Sequence, residues 1–169
     1  KVVILPEAMA KWNINDVEEF RFDYRLNSTF ADAEKFANRF QLMSFNSIYR
    51  GNENLENELY HDLDMSYRNY NYYSKINYSI RLGYAAREQS IREVTQLEGI
   101  NYINTSILTD LPENTYSGNV SVSKRFKSDL TLSVNGNAYL RDYARIVNAE
   151  RIGYNSNNYS YSVKGKYYK

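Results

Sequence analysis

Residues 59 to 67 alternate between two kinds of side chain. Leu59, His61, Leu63, Met65 and Tyr67 take the odd positions, and Tyr60, Asp62, Asp64 and Ser66 the even ones. After a short polar and aromatic turn the phase reverses, with Ile76, Tyr78, Ile80, Leu82 and Tyr84 on one face and Lys75, Asn77, Ser79, Arg81 and Gly83 on the other. A repeat of two is the signature of a strand. Each run persists for about nine residues or more, the length of a tilted strand crossing a bilayer, where strands of soluble sheets most often stop after about five or six. The pair predicts a membrane-spanning hairpin.

The same pattern recurs along the chain. Ala8, Ala10, Trp12 and Ile14 form a first, weakly apolar strand, and Phe20, Phe22, Tyr24 and Leu26 alternate with Glu19, Arg21, Asp23, Arg25 and Asn27 in a second. These two are expected to pair with Trp12 near Phe22. Further on, residues 116–126, 130–141 and 159–167 alternate in the same way, which makes seven candidate strands. Segment 31–40, ADAEKFANRF, reads as a short helical turn inside a long loop, 28–57. Segments 88–113 and 142–156 read as two further long loops, the former able to extend its hairpin, while 15–18, 70–74 and 127–129 read as short turns. Short turns on one side and long loops on the other predict periplasmic turns and extracellular loops of an outer-membrane barrel.

The fold class expected is therefore all-β: an antiparallel transmembrane β-barrel segment of about seven long meandering strands within a larger up-and-down barrel. Residues 1–169 are read as part of one barrel domain, cut from a longer protein, with an N-terminal plug and the remaining strands supplied from outside this sequence. The polar face carries Arg21, Asp23, Arg25, Asp62, Asp64, Arg68, Lys75, Arg81, Arg125, Arg141, Lys164 and Lys166. Arg or Lys facing hydrocarbon at mid-depth costs about 2 to 4 kcal/mol, so these side chains are assigned to a hydrated or plugged lumen. Phe20, Phe22, Tyr24, Leu63, Met65, Ile76, Tyr78, Ile80, Leu82, Val120, Val122, Leu132, Val134, Tyr161 and Val163 are assigned to lipid. A turn around Asn71 and Tyr72 would set Arg81 opposite Asp62 or Asp64 as a cross-strand ion pair. Lys124 breaks the outward pattern near a turn, where its stem reaches the interface.

Composition sharpens this picture. The mean hydropathy is negative, but every second residue of a barrel strand faces water, so the average is no guide here. Eighteen tyrosines against one tryptophan suit a girdle of apolar rings with wet hydroxyls at the headgroups. The net charge of +1 is spread along the chain and gives no electrostatic footprint for nucleic acid. The absence of cysteine removes disulfides, thiolate nucleophiles and thiolate metal sites. The one histidine, His61, has no nearby ligand partner and reads as an interfacial residue. Asp62 and Asp64 read as part of an ion-pair ladder rather than a glycosidase pair, and the acidic run Glu53, Glu56, Glu58 as solvated charge rather than a calcium loop. No catalytic, cofactor or metal site is predicted. No apolar run is long enough for a transmembrane helix, and a closed barrel is the other way to cross a bilayer.

GNENLENELYHDLDMSY, residues 51–67, resembles the Gly-Asn-Pro-x-Leu-x-Pro-Glu stretch and following strand of TonB-dependent outer-membrane receptors and the related outer-membrane β-barrel family. Gly51, Asn52, Leu55 and Glu58 match, whereas Glu53 and Asn57 stand where that family has proline. RFDYRLNSTFADAEKF is similar to the family's up-strand and following loop, and SGNVSVSKRFKSDLTLSVNGNAY to a later hairpin. The resemblance implies a barrel of about 22 strands around a plug, located in the outer membrane of Gram-negative cells and taking up a nutrient. It implies as partners membrane lipid, the other strands and plug, the TonB complex and a surface lipoprotein. Two further readings stand beside it: a structural or secretion-associated barrel that holds partner proteins, and a soluble carbohydrate-binding β-sandwich.

Overall fold

The alternating segments are strands in the computed structural model, which describes residues 4–87, 89–126, 130–147 and 150–167. Seven form a meander: β1 (Glu7–Asn15), β2 (Glu18–Thr29), β5 (Glu58–Asn71), β6 (Ile76–Arg87), β9 (Glu113–Arg125), β10 (Leu130–Val147) and β11 (Glu150–Tyr167). They lie side by side in that order, each antiparallel to the next. At one end, short elements fill the connections: α1 (Ala33–Phe36), β3 (Phe40–Ser44) and β4 (Ser47–Arg50) after β2, and the hairpin β7 (Ser90–Glu98) and β8 (Asn101–Thr109) after β6. Gly99 turns that hairpin with φ of 64°, a conformation in which a Cβ is strained. The order β7-β8-β4-β3 continues the sheet from β10. Two contacts in it are parallel, β4 with β8 and the single pair Val147 with Thr95. The protein is thus all-β and largely antiparallel, with 78% of the described residues in strands and 3% in helix. Among the described residues β1 and β11 each have one neighbour, so the sheet is open and closes no barrel.

Several expectations are corrected. Trp12 pairs with Phe20 rather than Phe22, which faces Ala10. The cause is a turn confined to Asp16 and Val17, where the Val17 N–H donates to Asn15 Oδ1 at 3.0 Å. Arg81 lies opposite Ser66, while Asp62 and Asp64 face Ala85 and Gly83. Here the turn is centred further along, over 72–75, held by the Ser74 N–H on Asn71 Oδ1 at 2.9 Å, so the register moves by one pleat. Segment 142–156 is not a long loop, because β10 and β11 pair without a break from Leu130 with Tyr167 to Val147 with Glu150. Stacking of Tyr143 on Tyr154 with centroids 5.5 Å apart sustains the ladder there. The strict alternation of short and long connections therefore fails at its last member. The helical turn is four residues long, and Phe40 belongs to a strand. The turn at 127–129 lies outside the described residues.

Register carries the two-face pattern across the whole meander. One row reads Trp12, Phe20, Tyr67, Ile80, Val120, Gly136, Tyr161, and the row beside it Lys11, Arg21, Ser66, Arg81, Asn119, Asn137, Ser160. Residues opposed across strands share a face, so each strand adds to one apolar and one polar surface. Neither surface is covered by a second layer: among the described residues the buried apolar side chains are Leu55, Leu111 and Ala144, all at the end that carries the short elements. Packing therefore concentrates beneath the connections, and the seven-strand wall has no core of its own.

Candidate functional site

The apolar surface contains every side chain assigned to it from the sequence. Successive rows join Tyr24, Leu63, Tyr84, Tyr116 and Leu140; then Phe22, Met65, Leu82, Gly118, Ala138 and Tyr159; then Glu18, Asn69, Tyr78, Val122, Val134 and Val163; then Asn71, Ile76, Lys124, Leu132 and Gly165, so that polar groups enter this surface at the short-turn end. Phe20, Ile80, Val120 and Tyr161 fall in the row already given. Val134 is 50% exposed, Val120 44% and Ile80 39%, so mid-strand aliphatic side chains lie open across the wall. His61 sits on this face beside Leu26, its Nδ1 2.8 Å from the Tyr24 hydroxyl.

The opposite surface holds Arg21, Asp23, Arg25, Asp62, Asp64, Arg68, Arg81, Arg125, Arg141, Lys164 and Lys166 in register. Lys75 differs: it occupies the turn before β6 at φ of 54°, where its carbonyl accepts the Arg125 N–H at 3.0 Å. Near the short turns Glu19 joins Lys11 at 3.0 Å and Arg68 at 2.8 Å. Asp23 accepts from Arg21 at 2.6 Å and neighbours Arg25 at 4.0 Å, and Arg25 reaches Glu7 at 3.1 Å. Ion pairs thus run along β1 and β2 to Arg68 of β5, and the ladder expected at Asp62 and Asp64 is not formed: among the described residues neither is ion-paired with Arg81. Between the charged residues of β9, β10 and β11 the middle of this face carries amides and hydroxyls. Ser121 donates to Asn135 at 2.8 Å, and Asn137 donates to Ser160 at 3.2 Å.

The strongest electrostatic cluster was not legible from the sequence. Glu113, 5% exposed, lies beyond the last apolar row, at the start of β9. It forms ion pairs with Arg92 of β7 and with Arg141 of β10, the latter at 2.8 Å. Burial pushes its carboxyl up, but the Arg92 hydrogen bond and the charges of Arg92, Arg141 and Arg87 outweigh that effect and hold it below the ordinary glutamate value. Arg141 also lies 4.8 Å from the centre of the Tyr143 ring, and Arg145 contacts both Tyr143 and Tyr154. Beside this cluster a cleft of about 840 Å³ opens between the short strands and β10, lined by Glu34, Tyr49, Glu93, Asn104 and Arg145 among others. No period marks the cluster, since Asp142 takes the parity of the apolar face and Tyr143 that of the polar one.

Among the described residues no three histidine or acidic side chains converge as metal ligands. Within the acidic run, the Glu58 carboxylate accepts the Ile91 N–H and so ties β5 to β7. Gly51 lies so close to the Ala37 carbonyl that a Cβ has no room, which accounts physically for glycine at the head of this segment. No protein-family model matches the chain, and no curated protein or solved structure matches it.

Proposed function

We propose that this chain is part of the wall of an outer-membrane β-barrel of the TonB-dependent receptor type. In this reading the apolar surface meets lipid, the polar surface faces a plugged lumen, and the end bearing β3, β4, β7 and β8 is extracellular and captures a nutrient. One observation carries the reading: fifteen side chains assigned to lipid share a single surface that no second layer covers. Water disfavours such a surface by about 25 cal/mol for every Å² exposed, while hydrocarbon does not. Strands of 12, 14 and 12 residues in β2, β5 and β6, and β9 from Tyr116 onward, are long enough to span at a tilt. The sandwich alternative needs a second sheet over Val120 and Val134, and the described residues form one sheet.

Paired arginine substitutions test the assignment in cells. Val134→Arg should cost about 2 to 4 kcal/mol at mid-membrane and reduce assembled protein in the outer membrane, while Asn135→Arg should assemble normally. Equal assembly of the two variants overturns the reading. Transport itself is tested by nutrient-limited growth of a deletion strain, which should recover when the full-length gene is restored.

A further inference from the structure

The outermost strand of the short-element sheet is an unprotected edge. β3 pairs with β4 through Phe40 with Arg50, Gln41 with Tyr49 and Leu42 with Ile48, and among the described residues nothing pairs with its other side. The Tyr102 N–H donates to the Asn46 carbonyl at 2.7 Å, so even residues of β4 aim their main-chain groups at β8 and odd ones at β3. By the same alternation Gln41 faces β4, while Phe40 and Leu42 present N–H and C=O groups to the open side. Proteins usually blunt such an edge with charge or proline, and FQLMS contains neither. Its side chains are also bare: Leu42 is 75% exposed, and Phe45 in the adjoining turn is 94% exposed.

Charge then selects the occupant. Arg39 is exposed at the head of β3, and Arg50 lies 5.5 Å from the Phe40 ring centre with Asn38 Oδ1 as its hydrogen-bond acceptor. Neither meets a carboxylate among the described residues. We infer that β3 is a docking edge for an extended, acidic segment of a partner protein, which adds as a further strand with its carboxylates against Arg39 and Arg50. Main-chain bonds supply the pairing, and the two guanidiniums set register and sign.

The inference does not depend on the membrane reading and is tested in detergent solution. The probes are fluorescently labelled Thr-Val-Glu-Val-Glu-Val-Thr and its counterpart with lysine for glutamate. Fluorescence anisotropy should show the acidic peptide bound and the lysine peptide at least tenfold weaker. Leu42→Pro, which removes an outward N–H without touching the Gln41–Tyr49 pair, should weaken acidic-peptide binding at least tenfold with an unchanged circular dichroism spectrum. Arg39→Glu combined with Arg50→Glu should reverse the preference. Equal binding of the two peptides, binding indifferent to Leu42→Pro, binding of neither peptide, or self-association of the chain through β3 would each overturn the inference.

Discussion

Glu113 and Arg141 join neighbouring strands of the wall, and the same carboxylate holds Arg92 on the β7–β8 hairpin. That side chain fastens the short-element sheet to β9 and β10, as the Glu58 carboxylate ties β7 to β5. The single main-chain pair between β7 and β10 is too little to do this alone.

Replacing Glu113 with glutamine removes the charge that both guanidiniums share. Hydrogen bonds to charged groups contribute about 1.5 to 3 kcal/mol each, and Arg92 is largely buried, so the hairpin should loosen by an amount in that range. Hydrogen exchange of β7 and β8 amides should accelerate at least tenfold, while amides of β10 between residues 131 and 139 keep their rates. Unchanged exchange in the hairpin would show that Glu113 does not fasten it.

The same carboxylate sets a pH dependence. Its folded pKa is lowered, so its stabilising contribution is fully present above the ordinary glutamate value and is lost as pH falls through the lowered one. Protection of the hairpin should therefore hold from neutral pH to the ordinary glutamate value of 4.5 and decline below it. Glu113→Gln should remove that step from the profile. A hairpin that gains protection in acid would contradict the assignment.

Gly51→Ala forces a methyl group against the Ala37 carbonyl. Overpacking of this kind costs about 1 to 3 kcal/mol. Limited proteolysis should cut segment 31–57 faster in the variant while the wall strands keep their resistance. Wild-type cleavage kinetics would mean that the backbone there yields freely.

The wall was legible from the sequence because its alternation is local: Phe20 to Leu26, Leu59 to Tyr67 and Leu130 to Leu140 each declare their two faces without knowledge of their neighbours. Register was less so. Counting extra turn residues was enough to put Trp12 beside Phe22 and Arg81 beside the Asp62 and Asp64 carboxylates, whereas Asn15 and Asn71 cap turns placed elsewhere. β3 escaped notice because Phe40, Leu42 and Met43 put apolar groups on both faces and leave no period to read. Its partner β4 is placed by parallel pairing with β8, more than fifty residues away. Glu113 meets Arg92 and Arg141 across 21 and 28 residues, a distance over which spacing carries no information.

The two-surface account is tested most directly by nitroxide scanning along β9 and β10, with no cysteine to replace within residues 1–169. Single labels at positions 119 to 123 and 132 to 137 of the full-length protein in lipid vesicles would be read for collision with oxygen, which partitions into hydrocarbon, and with a water-soluble nickel chelate. The account predicts a two-residue period in both readings and opposite phases, with oxygen maxima at 120, 122, 132, 134 and 136 and nickel maxima at 119, 121, 123, 133, 135 and 137. Low collision with both reagents at 120 and 134, as in a packed protein interior, or maxima of the two reagents in phase, would contradict it.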